Sequence, residues 1–165
     1  MINWITDQVI ERKLKLSESE KQELMYPLHL ARRMQVSSMV FGVNSWTCFY
    51  FGYLDLAVVA LVACIGSLNH WRFPVFGIRR SVDLVIGQCA AVYHLYTAYF
   101  GLTAPQWAVG VYVGFTGFLL FYGGAICFGV NGHTEYASRF HVTMHLWGGA
   151  FNTYLYLCIR QNSLE

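Results

Sequence analysis

The sequence predicts an all-α polytopic membrane protein, a bundle of five transmembrane helices preceded by an amphipathic N-terminal head. Of its 165 residues, 56% are hydrophobic and only 12% are charged, a balance typical of integral membrane proteins. Long apolar stretches alternate with short polar connections. The small net charge of +2 and the scattered basic residues argue against a nucleic-acid partner.

Residues 1–35 form the predicted head, which carries many charges and is therefore not expected to be a cleavable signal. Ser17 and Glu20 have the spacing of a capping box, which predicts a helix that runs toward Arg32 and Arg33. Apolar residues recur among the charges at loosely helical spacing. This pattern is compatible with an interfacial pair of amphipathic helices and equally with a polar tail that docks on a partner.

Residues 36–165 form the predicted transmembrane domain, in which five apolar stretches each approach the length of about 20 residues that crosses a bilayer. The stretches cover residues 36–54, 56–70, 81–100, 104–130 and 138–159. Glycines are expected to let these helices pack closely. They include Gly110, Gly114, Gly117 and the pairs Gly123-Gly124 and Gly148-Gly149.

The basic residues predict the orientation of the chain in the membrane. In a five-span arrangement, Arg160 is the only one of the 11 Lys and Arg residues on the side of the C-terminus. The others lie in the head, in the loop between the second and third stretches, or just before the fifth stretch. Because basic loops favour the cytoplasmic side, the N-terminus is expected in the cytoplasm or an equivalent compartment.

The same arrangement brings five polar residues to one depth near the basic side. Ser67 and His70 end the second stretch, Asp83 begins the third, and His141 and His145 begin the fifth. Ionisable residues inside membrane segments are costly and indicate function more often than packing. Three imidazoles with an open fourth position are a common catalytic zinc shell, so these residues predict a Zn²⁺ site.

The order of these residues resembles that of the CREST superfamily, which contains alkaline ceramidases and progestin/adiponectin-type receptors. The resemblance covers residues 66–83 and the run Phe140-His-Val-Thr-Met-His-Leu-Trp147. It implies that His70, His141 and His145 are zinc ligands, that Asp83 orients and deprotonates a water, and that Ser67 hydrogen bonds that water or the oxyanion. The implied reaction is hydrolysis of a lipid amide such as a ceramide, with membrane lipids as partners.

The chain differs from the family pattern in two respects. The family places its serine four residues before the first histidine, where this chain has Gly66, and the family has seven spans rather than five. A five-helix version could complete its lipid cavity as a homodimer, or it could keep the fold with a degenerate site.

Two other functions fit the same composition. The chain could be a non-catalytic subunit of a larger membrane complex, with its head and glycine-rich faces as contact surfaces. It could also be a haem-binding anchor, for which His94 is the candidate second ligand. However, His94 lies eleven residues beyond Asp83, or about 16 Å deeper along a helix.

Overall fold

The computed structural model describes residues 24–164, which form an all-α structure of five helices. Two of the helices consist of more than one segment. The first comprises α1 (Leu28–Ser37) and α2 (Met39–Tyr50), the second is α3 (Leu54–Arg72), and the third is α4 (Ile78–Gly101). The fourth comprises α5 (Ala104–Ala108), a π-helical segment (Val109–Phe115) and α6 (Thr116–Val130), and the fifth is α7 (Thr134–Asn162).

Each predicted apolar stretch corresponds to one of these helices, but the first helix begins earlier than expected. It starts at Leu28 rather than at residue 36, directly after Pro27. The structural reason is burial: Leu28, Leu30 and Met34 are at most 3% exposed, so the last part of the predicted head belongs to the bundle. The helix expected to begin at Ser17 lies outside the described residues.

The last helix, α7, is the centre of the bundle. It packs against α1, α2, α4, the π-helical segment and α6. Two buried clusters lie along it. One joins Trp71 to Ala31 and Met34, and the other joins Tyr156 to Cys48, Leu56 and Ala57. The two clusters are fourteen residues apart along α7, as judged from Val142 and Tyr156, which corresponds to about 21 Å at helical rise.

Glycines of the fourth helix leave space into which aromatic side chains of α7 pack. A methyl group on Gly114, Gly117 or Gly124 would overlap Phe151, Trp147 or Phe140, respectively. A methyl group on Gly123 would meet nothing within 4 Å among the described residues. Close packing of helices at glycine is therefore confirmed at Gly114, Gly117 and Gly124 but not at Gly123.

The π-helical segment lies within this interface. The indole Nε1–H of Trp147 donates a hydrogen bond to the carbonyl oxygen of Gly114, at 3.1 Å. A π-helical turn disturbs the regular backbone pairing of an α-helix. The side chain of Trp147 therefore provides a partner for a backbone oxygen that lies within the irregular segment.

Large apolar side chains cover the outside of the bundle. Residues such as Trp46, Ile65, Val92 and Leu120 are between 58% and 70% exposed. In the part of the chain that the structure describes, two helices are long and apolar enough to cross a membrane, α3 and the helix over Ala104–Val130. Few residues of the second are buried inside the bundle, so its apolar side chains point outward.

Candidate functional site

The predicted site residues lie at the same end of the bundle. Ser67 and His70 are in the last two turns of α3. Asp83 is in the second turn of α4. His141 and His145 are further into α7 than expected, because this helix begins at Thr134 rather than at residue 138.

Two of the three histidines are in direct contact, and an indole links the third to them. The rings of His141 and His145 are 4.6 Å apart between centroids, in an edge-to-face arrangement. The ring of Trp71 lies 4.5 Å from that of His70 and 4.8 Å from that of His141. Helices α3 and α7 thus bring the three imidazoles into one cluster that includes Trp71.

Most of this cluster is buried. His70 and His145 are each 3% exposed and Trp71 is 4% exposed, whereas His141 is partly exposed. The Nδ1 atom of His70 and the Nε1 atom of Trp71 have no hydrogen-bond partner among the described residues. Buried polar atoms usually have a partner, so unpaired ones indicate a site for water, an ion or a ligand.

A serine from the first helix contacts the last histidine. The Oγ atom of Ser37 lies 2.8 Å from Nδ1 of His145 and also 2.8 Å from the carbonyl oxygen of Met34. The carbonyl can only accept, so a Ser37 hydroxyl that donates to it must accept from Nδ1–H of His145. In that arrangement Nε2 of His145 keeps its lone pair. The sequence does not predict this contact, because an adjacent pair such as Ser37-Ser38 at the start of an apolar stretch does not indicate which side chain it meets.

A second serine of the first helix, Ser38, contacts Ser67 of α3. The Oγ atom of Ser67 lies 2.8 Å from Oγ of Ser38, which in turn donates to the carbonyl oxygen of Met34 at 2.9 Å. Ser38 is fully buried and Ser67 is 4% exposed. If Ser38 gives its proton to Met34, Ser67 must donate to Ser38, and its remaining capacity is that of an acceptor.

Asp83 lies against α3 at the level of Ser67. A methyl group placed on Gly66 would lie 3.9 Å from Oδ1 of Asp83, an ordinary van der Waals contact, and only 3.0 Å from Cδ1 of Ile86. The absence of a side chain at Gly66 therefore makes space for Ile86, and the carboxylate of Asp83 lies next to the same position. Within residues 24–164, Asp83 forms no ion pair, and the guanidinium of the nearby Arg80 instead lies 4.9 Å from the centre of the Phe76 ring.

The side chains are of types that bind zinc, but their nitrogen atoms are not arranged around one common metal position. Neutral imidazole nitrogens are common zinc ligands, and three imidazoles are present in one cluster. In the described part of the chain, no group of three or more His, Cys, Asp or Glu side chains is arranged to hold a metal ion. Binding would require the imidazoles to move toward one another around Trp71.

His94 belongs to a different part of the molecule. Its Nε2 atom lies 2.6 Å from the hydroxyl of Tyr156, and its Nδ1 atom lies 2.7 Å from the carbonyl oxygen of Ala90. Tyr156 is in the cluster around Cys48, away from His145. Both nitrogens of His94 thus have partners, and a haem iron could bind only if one of these hydrogen bonds broke.

Comparison of the chain with protein-family models, with curated proteins and with solved structures gave no match. The resemblance to the CREST superfamily therefore stays a prediction that depends on the order and placement of the site residues.

Proposed function

We propose that the chain is an integral membrane protein whose five helices span the bilayer, with the histidine cluster near the cytoplasmic side. The outward apolar side chains of every helix support this placement, because an aqueous surface rarely exposes so many. The basic residues support the orientation. Arg32, Arg33, Arg79, Arg80 and Arg139 belong to the helix ends near the cluster, whereas Arg160 lies near the far end of α7.

We further propose that the protein is a zinc-dependent hydrolase that acts on a lipid amide, as the ceramidase resemblance implies. The observation that supports it best is the cluster of His70, His141 and His145, in which the buried His70 has an unpaired nitrogen. Burial of an unpaired polar atom is costly, and a bound metal would give this nitrogen a partner.

In this proposal the three histidines hold the metal through neutral nitrogens. Zinc supplies Lewis-acid polarisation of the amide carbonyl and an activated water at neutral pH. Asp83 accepts the proton of the attacking water and later passes it to the leaving amine. Ser67, which is held by Ser38, accepts a hydrogen bond from that water and so positions it.

The test is the metal content and lipid amidase activity of full-length protein purified in detergent. We expect about one zinc per chain, no Soret band, and hydrolysis of a fluorescent ceramide. His145→Ala should lose the zinc, and Asp83→Ala should keep it and lose hydrolysis. Ser67→Ala should have the smallest effect of the three.

A matched control is His133→Ala, since His133 is an exposed histidine just before α7. It should leave zinc content and hydrolysis unchanged. Protein that is folded but contains no zinc, whether or not His145 is replaced, would contradict the proposal.

The second candidate is a non-catalytic subunit of a membrane complex. Trp71 favours it, because the indole contacts both His70 and His141 and could fill the space in which a metal would bind. In that case His145→Ala would lower the melting temperature, zinc would be absent, and the intact complex would copurify from its native membrane.

A further inference from the structure

An open groove with a volume of about 560 Å³ runs between the first helix and α7. Its walls are apolar and consist of Val36 and Val40 from the first helix and of Val142 and Leu146 from α7. At one end, Arg32 and Arg33 line it. The groove thus has two guanidinium groups at one end and apolar walls along the rest of its length.

Among residues 24–164, the basic end of the groove has an excess of positive charge. Arg33 forms an ion pair of 2.7 Å with Glu135, and Arg139 reaches the same carboxylate at 3.3 Å. The hydrogen bond from Arg33 holds the pKa of Glu135 below its usual range, so the carboxylate is ionised at neutral pH. Within the described part of the chain, Arg32 bonds only to the neutral Gln35. In that part of the chain, three guanidinium groups therefore face one carboxylate, and this net positive charge attracts an anion.

We propose that this groove binds one anionic phospholipid of the bilayer, with its phosphate at Arg32 and Arg33 and an acyl chain along the apolar walls. Guanidinium groups pair with phosphate through two parallel hydrogen bonds, and basic pockets at helix ends are known to select anionic headgroups. The proposal depends on the membrane placement above but not on the zinc site.

The dimensions fit this occupant. Arg32 and Val40 are eight residues apart along the two segments of the first helix, which corresponds to about 12 Å at helical rise. One leaflet provides about 15 Å of hydrocarbon. A chain that descends from a phosphate at the arginines would therefore pass along the groove through most of one leaflet. The close contact between Gly149 and Val40 brings the two helices together at its deep end.

The groove also reaches the histidine cluster. Ser37 is one of its lining residues, and the same hydroxyl contacts His145. A lipid in the groove would thus lie beside the serine that binds the imidazole.

The test is native mass spectrometry of the full chain in detergent, titrated with phosphatidylglycerol or with phosphatidylcholine that has the same acyl chains. We expect one phosphatidylglycerol to bind more tightly than phosphatidylcholine. The double variant Arg32→Gln/Arg33→Gln should weaken phosphatidylglycerol binding roughly 10- to 30-fold and leave phosphatidylcholine binding almost unchanged.

Three further variants distinguish binding in the groove from an effect of general surface charge. Arg79→Gln/Arg80→Gln removes the same charge from adjacent arginines outside the groove, and it should retain the preference. Glu135→Gln releases Arg33 from its ion pair and should strengthen phosphatidylglycerol binding. Leu146→Trp fills the groove and should weaken binding of both lipids.

The result that would overturn the proposal is an unchanged preference in Arg32→Gln/Arg33→Gln. An equal loss of phosphatidylglycerol affinity in Arg32→Gln/Arg33→Gln and Arg79→Gln/Arg80→Gln would also overturn it, because surface charge alone would then explain the binding. Recovery of the protein outside the membrane fraction, without binding of either lipid, would contradict the membrane placement as well. None of these results depends on the zinc content.

Discussion

The hydroxyl of Ser37 lies 2.8 Å from Nδ1 of His145 and connects the first helix to the last at the histidine cluster. This contact limits how His145 can act. Nε2 can bind a metal only if the ring proton is on Nδ1, which requires His145 to donate to Ser37 and Ser37 to donate to Met34. If Ser37 instead donates to Nδ1, the ring proton is on Nε2. Nε2 then has no lone pair with which to bind a metal.

Replacement of Ser37 should therefore weaken zinc binding without removing a ligand. We expect Ser37→Ala to lower zinc affinity by about 10- to 100-fold, the effect typical of a lost partner of a metal-binding histidine. Zinc competition with a chelating dye would measure it. Thr143→Ala is the control, since that hydroxyl is exposed and bonds to the carbonyl of Arg139. Equal affinities for the wild type and Ser37→Ala would show that the contact has no part in metal binding.

Nitrogen-15 chemical shifts of labelled histidine provide a separate test of this contact. The zinc proposal expects His145 to be a neutral ring with its proton on Nδ1, both before metal is added and after it. Assignment would come from the signal that disappears in His145→Gln. A ring with its proton on Nε2 in the zinc-loaded protein would contradict the arrangement described for Ser37.

Adjacent glycines in α6 should respond differently to the same substitution. Gly124→Ala places a methyl group against Phe140, and we expect a loss of roughly 1–3 kcal/mol because the ring must move. Gly123→Ala adds a methyl group in open space and should be neutral or slightly stabilising, since alanine is the better helix former. Thermal unfolding in detergent, followed by tryptophan fluorescence, would compare them. Similar losses for both variants would contradict the packing of α6 on α7.

The pair of His94 and Tyr156 should stabilise the far end of the bundle without affecting zinc. Tyr156→Phe removes the hydroxyl that contacts Nε2 of His94 and leaves that buried nitrogen unpaired, at a cost of about 1–3 kcal/mol. A lower melting temperature with unchanged zinc content is the expected result. Loss of zinc in Tyr156→Phe would instead link the two ends of the bundle.

Membrane topology can be tested with single cysteines in a variant that lacks the five native ones. Phe76→Cys and Leu164→Cys both introduce thiols at exposed positions, in the α3–α4 connection and after α7. The five-span proposal expects an impermeant maleimide to label them from opposite sides of sealed vesicles. Labelling of both from the same side would contradict five spans and the common depth of Asp83 and His141.

Apolar patterning was sufficient to predict the five helices, because length and hydropathy alone determine which stretches can be helical in a bilayer. The boundaries were less predictable. The residues before position 36 include charges, yet Leu30 and Met34 face the core, and only the tertiary structure reveals that this turn is buried. The π-helical segment at residues 109–115 also has no local signal, since its residues are ordinary for an apolar helix.

The site residues were predicted as a group because helix direction brings Ser67, His70, Asp83 and His141 to one end. Their partners could not be predicted, since periodicity gives the face of a helix and not the side chain that it meets. Ser37 and Trp71 are the two examples. Both lie next to predicted site residues in space, and the sequence alone gives no indication that Trp71 would contact two imidazoles.

The central position of α7 has a consequence for biosynthesis. Helix α7 contacts most of the other helices and carries His141 and His145 of the histidine cluster. It is nevertheless the last of the five helices in the chain. During translation, at about 5–20 residues per second, the four earlier helices are synthesised before their main packing partner exists. The histidine cluster therefore assembles late, and a nascent chain that stops before residue 134 would carry His70 without either of its companions.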